Sequence, residues 1–395
     1  MGMGGCFNEM GWAALTALDE ADRRAVIEEL FDRGRGCRFN LCRIPIGASD
    51  YALEWHSLNP HDGDFEMKRF SIARDREKLV PYIRMAQKVN GDISFFASPW
   101  SPPIWLKHPR AYSNGSPRRE KEYQDALALY YVKFVKAYAR EGIPVGQIHI
   151  MNEPASTHHK FPMCEWTGAA MRDFIRDHLG PLFEKTGTKS EIWFSTLNTS
   201  DYNGYVNAAM SDARARKYIA GIGLQWDGRH MVRRVHDAWP EVPLMQTENE
   251  CGDGENSWRY AQYVFDLMYD YIAGGVSAYI YWNMVLPEGG QSTWGWKQNS
   301  MITVDMKRRK AKLQPEFYLM KHLSAFVAPG AVRVGLEGQW AGTSIGFENP
   351  DGATVLVVNN PFDGPRKCAV RTAGGGFTAQ LPANSFNTFR IDAET

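Results

Sequence analysis

The chain has 395 residues, enough for one large buried core and a small second one, and its 45 Lys and Arg match 45 Asp and Glu. That balance offers no basic field, so neither nucleic acid nor an anionic membrane surface is expected as a partner. The six cysteines are scattered without a C-x-x-C pair, which predicts free thiols rather than a disulfide framework or a zinc site. No apolar run reaches the roughly 18–20 residues of a membrane span. Residues 1–5 lead into a strand without the basic and apolar regions of a secretory leader. The expectation is a soluble, cytoplasmic protein, with secretion open if the N-terminus was trimmed.

Gly4 to Glu9 reads as a first strand ending in polar residues. Asp19 is placed to cap a helix over about 21–33, where Val26, Ile27, Leu30 and Phe31 share one face. Phe39 to Ile46 is a second, apolar strand, followed by Gly47 to Tyr51 and a long loop to about Phe70. Leu79, Ile83 and Ala86 mark the next helix. Ile93 to Ala97 is a third strand, broken sharply by Pro99, Pro102 and Pro103. Leu127, Tyr130, Tyr131, Phe134, Val135 and Tyr138 recur at helical spacing, and the tyrosines are expected to pack inward. The fourth strand, around Val145 to Ile150, delivers Asn152 and Glu153 and is stopped by Pro154. A helix over about 168–185 leads to the fifth strand, Ile192 to Leu197. Ile219 to Leu224 is the sixth, ending in Gln225-Trp226, and Val242 to Thr247 the seventh, ending in Glu248. A helix from Tyr260 to Ile272 precedes the eighth, Val276 to Tyr281, which ends in Trp282-Asn283. A last helix spans about 316–326.

Eight short apolar strands alternating with helices predict an α/β protein whose first 326 residues form a (β/α)8 barrel, a TIM barrel. Beyond them the period changes. Val332 to Glu337, Ser344 to Phe347, Thr354 to Asn359, Cys368 to Thr372 and Ser385 to Ile391 read as strands between turns. Residues 327–395 are therefore expected to be a small C-terminal all-β, sandwich-like domain. Gly374-Gly375-Gly376 reads as a flexible loop there, since no helix follows to make it a phosphate cradle.

Glu153 and Glu248 stand at the ends of the fourth and seventh strands, so both point into one mouth of the barrel. A pair of carboxylates across a cleft suits glycosidic cleavage. One protonates the leaving oxygen, and the other attacks the anomeric carbon or activates water against it. Strand ends on opposite sides of a packed core predict the shorter carboxyl separation of a retaining enzyme, about 5–5.5 Å. Glu250 is the competitor of Glu248, but Glu248 follows Met245-Gln246-Thr247 at the strand end itself. Asp50, Trp100, Gln225, Trp226, Trp282 and Asn283 also sit at strand ends, where amides and carboxylates can bind hydroxyls and indoles can stack on a sugar. His158-His159 has no partner at metal-ligand spacing and reads as loop surface. No metal and no cofactor are expected. A carbohydrate-binding barrel without catalysis is the rival from another class.

The segments GGCFNEMG, CRIPIGASDY, ASPWSPPIWLK, IMNEP, QTENECG, YIYWNM with LPEGG, AFVAPGAVRV and LPANSFNTF together resemble glycoside hydrolase family 30. That is a family of retaining β-glycosidases that includes glucosylceramidases. The resemblance implies a barrel with a β-sandwich, Glu153 as acid/base and Glu248 as nucleophile. It further implies that Asp50, Trp100, Asn152, Trp282 and Asn299 contact the sugar. The expected substrate is a small β-glycoside or oligosaccharide, a β-glucoside first; β-xylosides, β-fucosides and β-1,6-glucan are the alternatives within the family. Two departures stand out. Family members usually carry strands of the sandwich ahead of the first barrel strand, whereas here the chain starts almost at the barrel. Gln225-Trp226 stands where the glucosylceramidases have a His-Trp pair.

Overall fold

The computed structural model describes residues 2–372 and 375–392. Eight parallel strands close a barrel in sequential order: β1 (Gly2–Cys6), β2 (Leu41–Pro45), β3 (Ser94–Ser98), β4 (Val145–His149), β5 (Glu191–Leu197), β6 (Ile219–Gln225), β7 (Leu244–Glu248) and β8 (Ala278–Asn283). β8 returns to β1 with Gly2 opposite Ala278 and Gly5 opposite Tyr281. Outward-facing side chains such as Ile44, Ile148 and Phe194 join the helices in the main core. Phe96, Trp193, Met245, Ala278 and Ile280 form a separate apolar cluster of barrel-strand residues. This double burial is why the strands read as continuous apolar runs.

Gly223 makes room at the barrel centre. A Cβ there would lie 2.5 Å from the Ser195 carbonyl oxygen and 2.8 Å from Nδ1 of His149. His149 is wholly buried, and burial lowers its pKa to about 3. It is thus neutral, with Nδ1–H donating to the Ser195 carbonyl at 3.0 Å.

Three local expectations need correction, and one small sheet was not foreseen. Asn8 and Glu9 do not end a strand: Asn8 Oδ1 accepts from Gly11 N at 2.7 Å and caps a helix over Glu9–Ala17. The helix expected around Leu79 is two, Ala73–Lys78 and Val80–Val89. After β8 the chain makes a small sheet of β9 (Val285–Pro287), β10 (Ile302–Asp305) and β11 (Lys310–Leu313), each too short to stand out as a periodic run. Finally, Gly375 and Gly376 open a strand; Gly374 lies outside the described residues.

The C-terminal residues form β12 (Val332–Val334), β13 (Ser344–Glu348), β14 (Thr354–Asn360), β15 (Arg366–Thr372), β16 (Gly375–Leu381) and β17 (Ser385–Ile391). Sheet order is β12-β13-β14-β17, with β15-β16 as a separate antiparallel pair. Phe386 of β17 anchors this domain to the barrel, with its ring 4.9 Å from Trp258 and 5.9 Å from Phe265 on the helix Trp258–Gly274. Thr388 adds a polar clasp, donating to the His322 carbonyl at 3.1 Å and accepting from Nδ1 at 2.8 Å. The six cysteines are free and buried. No described helix is long and apolar enough to cross a membrane.

Candidate active site

The carboxyl ends of the strands carry the polar residues that the core excludes. Glu248 is the last residue of β7, and Glu153 follows β4. Glu153 holds φ +45° and Trp226 φ +49°, left-handed backbone that is costly for side chains of this size. Neighbouring strand ends enforce it at Glu153. Asn152 N donates to the Pro99 carbonyl at 2.7 Å, and Glu153 N to the Thr196 carbonyl at 3.2 Å. Two tethers on consecutive residues over-determine where the Glu153 side chain starts.

One residue the sequence reading passed over organises the site. Arg43 of β2 is completely buried. Its Nη1 lies 2.6 Å from Glu248 Oε2, and its Nη2 donates to Asn152 Oδ1 at 2.6 Å and to Ser98 Oγ at 2.7 Å. The guanidinium also sits 4.4 Å from the ring centre of Trp100. A lone arginine inside the apolar run FNLCRIPI was the available signal, because a buried charge demands partners.

A cleft of about 350 Å³ opens above this network. Asp50, Trp100, Glu153, Trp226 and Glu248, each read as a strand-end residue, line it together with Asn152, which the family resemblance suggested. Gln225 and Asn283 stand directly behind the wall. Gln225 Nε2 donates to Glu153 Oε1 at 3.0 Å, while Asn283 Nδ2 donates to Gln298 Oε1 at 2.8 Å. Gln298 in turn faces the cleft and reaches Asp50 Oδ2 at 3.4 Å. Trp282 packs under Trp100 with ring centres 5.1 Å apart, and its buried Nε1 has no partner.

Asn299 is not brought into the cleft. Its Oδ1 accepts from Gly254 N at 2.8 Å and Asn256 N at 3.3 Å, and its Nδ2 donates to Glu316 Oε1 at 2.7 Å. The oxygen end therefore braces the loop after β7, and the nitrogen end ties it to the helix Pro315–Ser324. Glu250 turns away as well, accepting from the Tyr263 hydroxyl at 2.5 Å and pairing with Arg229 at 3.4 Å. His158 is exposed, yet it stands on the cleft rim 6.1 Å from Trp296. Phe161, Asn198, Asp227, Trp296 and Gln298 complete the lining from loops whose sequence carries no period to mark them.

The two glutamates sit in different fields. Burial raises the pKa of Glu153 first, and the charge of Glu248 adds to it; a single neutral amide, Gln225, and the more distant Arg43 oppose. Burial also raises Glu248, but the Arg43 guanidinium in direct contact works against it, helped by Trp226 Nε1 at 3.3 Å. Asp50 is raised by burial and then by both glutamates, and its Oδ1 has no partner in the protein. The arrangement suits a protonated Glu153 beside an ionised Glu248, an acid and a nucleophile or base set apart by environment. Among the described residues no cluster of three His, Cys, Asp or Glu is placed to hold a metal.

Residues 1–327 match the family model described as the glycosyl hydrolase family 30 TIM-barrel domain, and residues 330–389 the one described as the family 30 beta sandwich domain. The lysosomal acid glucosylceramidase of Mus musculus is 28% identical, across 91% of this chain and 74% of its own length. An endo-1,6-beta-D-glucanase of Neurospora crassa is 25% identical, across 91% of this chain and 78% of its own. The crystal structure of SrfJ from Salmonella typhimurium superposes with a TM-score of 0.91 at 25% identity, covering 100% of this chain and 90% of that one.

Proposed function

The chain belongs to glycosyl hydrolase family 30 and is a glycoside hydrolase, and from that premise we propose that it hydrolyses β-glucosides by double displacement with retention. The carrying observation is the asymmetry of the pair: Glu248 is salt-bridged to buried Arg43, whereas Glu153 meets only the amide of Gln225. Glu153 protonates the glycosidic oxygen as the Glu248 carboxylate attacks the anomeric carbon. Glu153, now ionised, then takes a proton from the water that releases the sugar. Asn152 Oδ1 is held by Arg43, Gln225 and Thr196, which leaves the amide nitrogen to serve a sugar hydroxyl. The open Oδ1 of Asp50 is a second polar atom available to a sugar hydroxyl. Family membership sets aside the rival of a non-catalytic binding barrel.

The likeness to the Neurospora enzyme supports a second reading, cleavage of β-1,6-linked glucan at the same site. A panel of nitrophenyl β-glucoside, β-xyloside and β-fucoside, run with glucosylceramide and β-1,6-glucan, tests the proposal. Nitrophenol release is expected first from the glucoside. Silence across the panel from folded protein would contradict it.

A further inference from the structure

We propose that Gln225 is a positioning residue that places the acidic proton of Glu153 on Oε2 and steadies the carboxylate left when that proton departs. The inference rests on the reading of Glu153 as the general acid. It begins at Arg43, whose guanidinium can only donate. Asn152 Oδ1 receives Arg43 Nη2 at 2.6 Å, so the oxygen end of the Asn152 amide must face it. Gln225 Nε2 lies 3.2 Å from that same oxygen, which fixes the nitrogen end of Gln225 toward Asn152 and Glu153. Its other end agrees, since Gln225 Oε1 accepts from Thr247 Oγ1 at 2.8 Å. Glu153 Oε1, 3.0 Å from Nε2, must therefore present a lone pair. The acidic proton is left for Oε2. An unbroken run of forced donor directions thus reaches from the partner of Glu248 to the proton of Glu153.

The same contact changes strength during the reaction. In the first step the Oε2–H bond breaks and the proton joins the glycosidic oxygen. The bond from that oxygen to the anomeric carbon breaks with its electron pair, and the Glu248 carboxylate bonds the carbon. Gln225 then donates to an ionised acceptor, and such bonds are roughly twice as strong as neutral ones. In the second step water gives a proton to Oε2 as its oxygen displaces Glu248. The charged and titratable groups around Glu153 are Glu248 from β7, Arg43 from β2 and Asp50 beyond it, with Asp227 and His158 on the cleft wall. The amide that reaches Glu153 carries no charge and does not titrate.

The test uses Gln225→Leu, which removes the donor, and the near-isosteric Gln225→Glu, which adds a charge. Glu153→Ala is measured beside them. For phenyl and 2,4-dinitrophenyl glycosides of the sugar selected by the panel, kcat/KM is followed against pH. Both Gln225 variants are expected to lose about tenfold or more on the phenyl glycoside and far less on the activated one. Their alkaline limb should move up by about one unit, since the ionised form of Glu153 has lost its donor. Equal losses on both substrates with an unmoved limb would overturn the inference and leave Gln225 a packing residue. Glu153→Ala is expected to show the leaving-group selectivity with rescue by azide. Selectivity there without it in the Gln225 variants defeats the inference alone; a uniform loss in Glu153→Ala defeats the acid reading, and the inference with it.

Discussion

At the scale of single residues, chemistry was legible wherever a polar side chain had to stop an apolar strand. Glu153, Glu248, Asp50, Trp100 and Trp226 were each marked by that break and line one cleft, which Asn152, drawn from the family resemblance, joins; Gln225, Trp282 and Asn283 were marked alike and stand behind its wall. Arg43 was not, because it interrupts a strand instead of ending one, and its partners Ser98, Asn152 and Glu248 come from three other strand ends. Its role makes a sharp prediction. Arg43→Lys keeps a charge but cannot reach Glu248, Asn152 and Ser98 together. We expect kcat to fall by about 10²-fold or more, with a smaller change in KM, by analogy with loss of a preorganised donor. Steady-state kinetics check this. A loss confined to KM would mean that Arg43 serves binding alone. Asn299 shows the opposite failure: its assignment came from a motif, and a motif does not reveal which way an amide is already bonded.

At the scale of elements, the eight barrel strands were readable as short apolar runs and the long helices by their period. The elements that escaped are short and owe their form to a cap or a neighbour. The helix Glu9–Ala17 depends on the Asn8 cap, and β9 to β11 on one another. The loop after β7 belongs to this class, since its shape is set from Asn299. Asn299→Ala would strand two backbone N–H groups, on Gly254 and Asn256, and one oxygen of buried Glu316. A stability loss of about 2–4 kcal/mol is expected in denaturant unfolding, with leaving-group selectivity unchanged. A variant as stable as the parent but altered in sugar preference would return Asn299 to the cleft.

At the scale of the whole molecule, buried carboxyls outside the cleft couple the fold to pH. Asp75 is fully buried, takes one hydrogen bond from the Tyr138 hydroxyl at 2.8 Å, and is pushed up to about 7 by burial. An unfolded aspartate titrates near 3.9, so between about 4 and 7 the folded chain holds a proton that the unfolded chain has released. Its contribution is therefore complete below about pH 4, falls as pH rises through 7, and is flat beyond. Asp75→Asn should remove that slope and raise Tm at pH 8 relative to the parent; an unchanged pH profile of Tm would show that Asp75 does not carry it. The barrel also brings residues 153 and 248 into one cleft, and the central claim is that Glu248 attacks the sugar there. An activated 2-deoxy-2-fluoro β-glucoside, or the fluoro-glycoside of whichever sugar the panel selects, should inactivate the enzyme. Peptide mapping should then find one sugar on Glu248, and none after Glu248→Gln. A label on Glu153 or Glu250, or turnover that persists in Glu248→Gln, would contradict the account.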